Sequence, residues 1–183
     1  QIAAVRIVNG RRVPGETLDM LVNPGRPIPR ASSAIHGVTD DMVVDAASVQ
    51  EAVERFHTFA RDAVIVAHNA PFDMSFLWRR EVELGIRFAN PILDTVLMSA
   101  AVFGLAENHT LDDLVNRLGV ELPQSQRHTA MGDTLATAEV FLRLKRVLQA
   151  RGIERLSDLL AEAKRHDKRL QDANRRTEGA KTE

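Results

Sequence analysis

Two short stretches hold the residue types that hydrolytic chemistry needs. The first is His68-Asn69-Ala70-Pro71-Phe72-Asp73, placed where an apolar run ends and a helical pattern begins. Loops at the carboxyl ends of strands are where open α/β sheets carry their sites. Pro71 suits a first helical turn, whose N–H groups have no partner within the helix. Asp73 in that turn can be a functional carboxylate, or an acid placed at the positive end of the helix dipole. The second stretch is His128-Thr129-Ala130-Met131-Gly132-Asp133-Thr134, which opens a long Ala-rich helix. A histidine near a carboxylate is what a general base beside a metal site would need. The bland alternatives are a dipole role for Asp133 and a plain loop role for His128. Asp94 reads as a helix N-cap, His36-Gly37 as a turn and His109-Thr110-Leu111 as an ordinary helix start. The aromatic residues Phe56, Phe59, Phe76, Trp78 and Phe141 are expected in the core. Phe72 is set apart as a base-stacking candidate because it lies inside the first loop.

These residues must be positioned by the elements around them. Gln1–Val8 alternates and reads as a strand. Asn9-Gly10 tolerates positive φ at both positions and marks a two-residue hairpin, with Thr17–Val22 as the partner strand. Asn23–Pro29, with three prolines, reads as loop. Ser48-Val-Gln-Glu51 is a capping box, and Val49, Val53 and Phe56 carry a helical stripe to about Arg61. Ala63–Ala67 is a buried strand by its apolar run. Phe72–Leu84 is an amphipathic helix stopped by Gly85. Pro91–Asp94 is a short strand, followed by helices over Thr95–Val102, Thr110–Leu118 (stopped by Gly119), Met131–Ala150 (closed by Gly152) and Ser157–Leu170. Gln171–Glu183 is polar and expected to fray. A hairpin, then alternating helix and strand, then helices, implies an α/β domain with a mixed sheet flanked by helices.

The 183 residues are enough for one ordinary domain. A hydrophobic fraction of 44% argues against disorder. No apolar run reaches about 18 residues, so no membrane-spanning helix is expected. The chain has no cysteine, which excludes disulfides and thiolate metal sites. No signal peptide is visible, and a cytoplasmic setting fits this composition. Charge is uneven. Residues 1–142 hold 12 Lys and Arg against 18 Asp and Glu, whereas residues 143–183 hold 12 against 7. The basic C-terminal part could hold phosphates, but the simpler reading is a solvated helix face.

Taken together, the segments resemble the DEDD-type 3′→5′ exonucleases, in the histidine-bearing branch that includes the epsilon proofreading subunit of bacterial DNA polymerase III. Val64–Ala67 with His68-Asn69-Ala70-Pro71-Phe72-Asp73-Met-Ser-Phe76-Leu77 resembles the second exonuclease motif. Leu93-Asp94-Thr95 resembles the strand and helix start after it. His109-Thr110-Leu111-Asp112-Asp113-Leu114 and Leu118-Gly119 resemble the connecting helix. Arg127-His128-Thr-Ala-Met-Gly-Asp133-Thr-Leu-Ala-Thr137-Ala138 resembles the third motif. Leu21-Val22-Asn23-Pro24 and Ile35-His36-Gly37-Val38-Thr39 also match. The order is the family's, over roughly residues 1–148.

The resemblance implies a ribonuclease H-like fold, an exonuclease domain over 1–152, and a charged helical extension and tail over 153–183. It implies hydrolysis of phosphodiesters at 3′ ends with two Mg²⁺ or Mn²⁺ ions. Asp73 and Asp133 would bind metal, and His128 would take the proton from the attacking water. His68, Asn69 and Phe72 would touch the nucleic acid. The expected partners are single-stranded 3′ ends of DNA (RNA being the alternative) and a polymerase subunit. The family's first motif, an Asp-x-Glu on the strand preceding the one that Gln1 begins, is not among these residues, and neither therefore is that strand, which the family places mid-sheet between Gln1–Val8 and Ala63–Ala67. The expectation is an open sheet, an incomplete ligand set and no significant nuclease activity for the 183 residues alone. A competing reading is a degenerate, non-catalytic module that binds nucleic acid or a polymerase. A phosphate-binding domain of another kind lacks its Gly-rich loop.

Overall fold

The computed structural model describes residues 1–121 and 129–179, with the side chains of 168–179 left aside. The chain opens on β1 (Ile2–Val8), turns through Asn9 and Gly10, both at positive φ, and returns as β2 (Arg11–Met20). The two strands pair antiparallel, from Ile2 opposite Met20 to Val8 opposite Arg11. β2 begins six residues earlier than the alternation suggests. Pro14 and Gly15 interrupt that alternation, and the ladder absorbs them as an irregularity between Val5 and Ile7.

Next come β3 (Val22–Asn23), α1 (Arg30–His36), α2 (Asp40–Val43) and β4 (Ala47–Ser48), with β3 and β4 paired parallel. Apart from Val22, which falls within the expected strand Thr17–Val22, none of these was expected, because short elements need no apolar periodicity. α3 (Val49–Ala60) starts as its capping box requires, with Ser48 Oγ accepting from Glu51 N at 3.1 Å. β5 (Ile65–Ala67), α4 (Ala70–Leu84), β6 (Ile92–Asp94), α5 (Thr95–Phe103) and α6 (Leu111–Arg117) follow. α7 (Ala130–Ala150) and α8 (Leu156–Gly179) end the chain. α8 runs past the expected stop at Leu170, so Gln171–Gly179 is helix rather than frayed tail. No helix among the described residues is long and apolar enough to cross a membrane.

β5 and β6 pair parallel, in the register Ile65–Ile92, Val66–Leu93, Ala67–Asp94. Successive strand residues face opposite sides, and the core divides accordingly. Ile65 and Ile92 pack with Val53, Met74 and Phe88 under α3 and α4. Val66 and Leu93 pack on the other side with Met98, Leu114, Val140, Leu144 and Leu148 of α5, α6 and α7. α8 joins this second core through Leu159, which is buried. The result is a mixed α/β architecture in which α7 lies across both β1 and β5. β1 and β5 are not hydrogen-bonded to each other, so among the described residues each is paired on one edge only. The sheet is therefore three separate pairs rather than one continuous surface.

Candidate nuclease site

His68, Asn69, Phe72 and Asp73 lie where β5 ends and α4 begins, beside the end of β6. The chain leaves β5 at His68 and turns sharply at Asn69, which takes the left-handed conformation (φ 60°, ψ 52°). Asparagine is among the few non-glycine residues that occupy this region at low cost. α4 starts at the next residue, and Pro71 sits in its first turn where no N–H is needed. Phe72 and Asp73 follow in the same turn, both exposed.

Asp94 holds this turn from the neighbouring strand. It is the register partner of Ala67 and is 8% exposed. Its Oδ1 accepts from Asn69 N at 3.1 Å and from Val96 N at 2.8 Å, and its Oδ2 accepts from Ala70 N at 3.0 Å. One carboxylate thus caps α5 and closes the entry to α4. Beside it, His68 Nδ1 lies 2.9 Å from Thr95 Oγ1, and the Thr95 hydroxyl reaches back to the Ala67 carbonyl at 3.4 Å. Thr95 is wholly buried. His109 secures the other end of α5, with Nδ1 2.8 Å from Ser99 Oγ and Nε2 donating to the Gly104 carbonyl at 3.0 Å.

Asp133 comes from the first turn of α7, behind the Thr129 cap, whose Oγ1 accepts from Gly132 N at 3.0 Å. Thr134 ties that turn to β1 by donating to the Ala3 carbonyl at 3.2 Å. The electrostatics connect the pieces. Burial lowers the pKa of His68, against the charges of Asp94 and Asp133, with His109 adding to the depression. Loss of solvation raises the pKa of Asp73, and the negative charge of Asp94 raises it further. Burial also raises Asp94, opposed by its three backbone hydrogen bonds and by His68. Asp73 is open to solvent, which screens both effects on it. His68 lies within electrostatic reach of both Asp94 and Asp133, and Asp73 within reach of Asp94.

Asp73 and Asp133 are hard oxygen donors of the kind Mg²⁺ and Mn²⁺ prefer. Their number falls short. Among the described residues no group of three or more His, Asp or Glu side chains could hold a metal ion. The donor type fits a divalent-ion site and the donor count does not fill one. His128, the expected general base, lies outside the described residues.

Two features depart from what the sequence implies. Asp94 is more than an N-cap, because two of its three hydrogen bonds go to residues 24 and 25 positions away. Phe76 and Trp78, expected in the core, are 55% and 43% exposed. Phe76 instead meets Phe72 edge to face, with ring centroids 5.3 Å apart. The i, i+4 spacing of these two phenylalanines was the available signal. Phe56 and Phe141 do pack against the core, and Phe59 lies under the Arg6 guanidinium.

Residues 1–141 match the family model described as Exonuclease (RNase_T). The chain belongs to the DEDD-type exonuclease family. It is 59% identical over 174 residues to a DNA polymerase III subunit epsilon-like protein of Rhodobacter capsulatus, covering 95% of this chain and 25% of that one. It is 36% identical over 159 residues to the PolC-type DNA polymerase III of Caldanaerobacter subterraneus, covering 87% and 11%. The corresponding protein of Bacillus subtilis is 32% identical over 157 residues, covering 84% and 11%. The chain thus spans a quarter or less of the length of these relatives. Among solved structures, exonuclease X in complex with 5′-overhanging duplex DNA superposes with a TM-score of 0.66 at 22% identity, over 88% of each chain. That likeness shows a shared ribonuclease H-like fold.

Proposed function

We propose that this exonuclease-family domain serves a 3′→5′ nuclease acting on single-stranded DNA ends, with Asp73 and Asp133 as two of its metal-binding carboxylates. The observation that carries the reading is the turn between β5 and α4, held by Asp94 through Asn69 N and Ala70 N, which presents Asp73 and Phe72 at the carboxyl end of the strand; the charge of Asp133 also acts on His68 in this turn. Divalent ions, when bound, would neutralise phosphate charge and activate water. The chain's own residues would do the rest. Asp73 and Asp133 would hold the ions from two elements, and His128 would receive the water's proton. Phe72, exposed in the first turn of α4, would stack on a base, while His68 and Asn69 line the turn beneath it.

The remaining carboxylates are proposed to come from an Asp-x-Glu strand, a motif that these 183 residues do not contain. The names of the relatives support DNA as substrate and a polymerase as partner. The test compares the 183-residue chain with a version extended upstream of Gln1 through an Asp-x-Glu strand, on a single-stranded substrate with Mn²⁺. Trimming from the 3′ end by the extended version supports the reading. Binding without trimming by both would favour the non-catalytic module instead.

A further inference from the structure

We infer that Asp94 is a positioning residue for Asp73: its carboxylate latches the turn at Asn69 and Ala70, and so sets where α4 begins and where its first-turn carboxylate points. The inference rests on the reading of Asp73 as a metal ligand. An N-cap needs one acceptor and one helix. Asp94 has that in Val96 N at 2.8 Å, and the bond is enough to start α5. The bonds to Asn69 N at 3.1 Å and Ala70 N at 3.0 Å serve another element, on another strand. They are charge-assisted and sheltered from water, since Asp94 is 8% exposed. They act on a turn that needs holding, because Asn69 is one of three non-glycine residues at positive φ among the described residues. Asp73 lies three residues beyond Ala70 on the same helix, so a small rotation of the turn moves its carboxylate. A site about 1 Å too loose is a poor one.

The two oxygens allow the roles to be separated. Asp94→Ser retains a cap for Val96 but has no second oxygen to reach the α4 turn. Asp94→Asn keeps an acceptor for Asn69 and Val96 at Oδ1 and places an NH₂ against Ala70 N–H. In the 183-residue chain, amide exchange at Ala70 should speed by about tenfold or more in both variants, the weight of one charge-assisted hydrogen bond. Val96 should stay protected in both. Line broadening of the Asp73 amide by titrated Mn²⁺ should weaken in step with Ala70 exchange. A merely stabilising role would lower Tm and leave that broadening at wild-type strength. The latch is overturned if Ala70 exchanges at the wild-type rate in both variants, or if it exchanges faster while Mn²⁺ broadens Asp73 as before. A wild-type chain in which Mn²⁺ broadens neither Asp73 nor Asp133 would count against the metal-ligand reading. Even then the Ala70 rate would still decide whether the latch exists.

Discussion

The two histidines flanking α5 give this protein a legible pH response. His68 and His109 both have their pKa lowered from 6.5, chiefly by burial. A histidine whose folded pKa lies below its unfolded value contributes stability that is full above pH 6.5 and lost as pH falls through the folded pKa. Tm should therefore decline on acidification below about 6.5, and the double variant His68→Gln, His109→Gln should flatten that limb. An unchanged slope in the double variant would assign the acid limb to other groups. Asp73 and Asp94 act in the opposite sense, since both are raised above 3.8. Their contribution is present below that value and lost as pH rises through the folded pKa. On activity, Asp73→Ala in the extended protein should abolish trimming, and His128→Ala should slow it by about 10²–10⁴, the usual weight of a general base. Full activity in Asp73→Ala would remove Asp73 from the ligand set.

At the scale of elements, the β5–α4 turn makes a separable prediction. Asn69→Gly keeps the left-handed conformation without strain, whereas Asn69→Val must enter it with a branched side chain, at about 1–2 kcal/mol. If Asn69 touches nucleic acid, both variants should bind single-stranded DNA more weakly, but only Asn69→Val should lose that stability in chemical denaturation. Equal Tm for the two would mean the turn relaxes when the side chain changes. Much of this level was legible beforehand, wherever the signal is local. Ser48, Asp94 and Thr110 cap the helices they precede, and Asn9-Gly10 and Gly85 take positive φ where turns were expected. What stayed hidden depends on distant partners. α1 buries none of its residues and α2 only Val43, so neither carries an apolar stripe. The second role of Asp94 depends on a parallel pairing that brings two stretches of chain together. α4 is amphipathic as expected, but the face it buries carries Met74 and not Phe76, which turns outward.

For the molecule as a whole, the open sheet and the short ligand set make the same prediction from two directions. β1 and β5 lie under the same helix, α7, yet neither bonds to the other. Backbone groups on an unpaired strand edge gain nothing from the sheet, and cost free energy wherever water cannot reach them. α7 supplies part of the cohesion, through Thr134 to β1 and through Val140, Leu144 and Leu148 to the core, and α3 supplies another part through Phe59 under Arg6 of β1. Leu144 is fully buried, and Leu144→Ala should cost about 2–5 kcal/mol, which makes it the control for how much stability α7 lends. A strand added between β1 and β5 would pair two edges at once. If that strand carries Asp-x-Glu, it would also place two more carboxylates beside Asp73 and Asp133. Extension upstream should therefore raise Tm and switch on Mn²⁺-dependent trimming together, while an extension with both acids changed to Ala should raise Tm alone. The 183-residue chain should show neither, because two carboxylates cannot fix two divalent ions at a phosphate. Equal turnover with and without the extension would mean that the chain completes its site from its own residues. A gain in activity without a gain in Tm would place the added carboxylates at the site but the added strand outside the sheet.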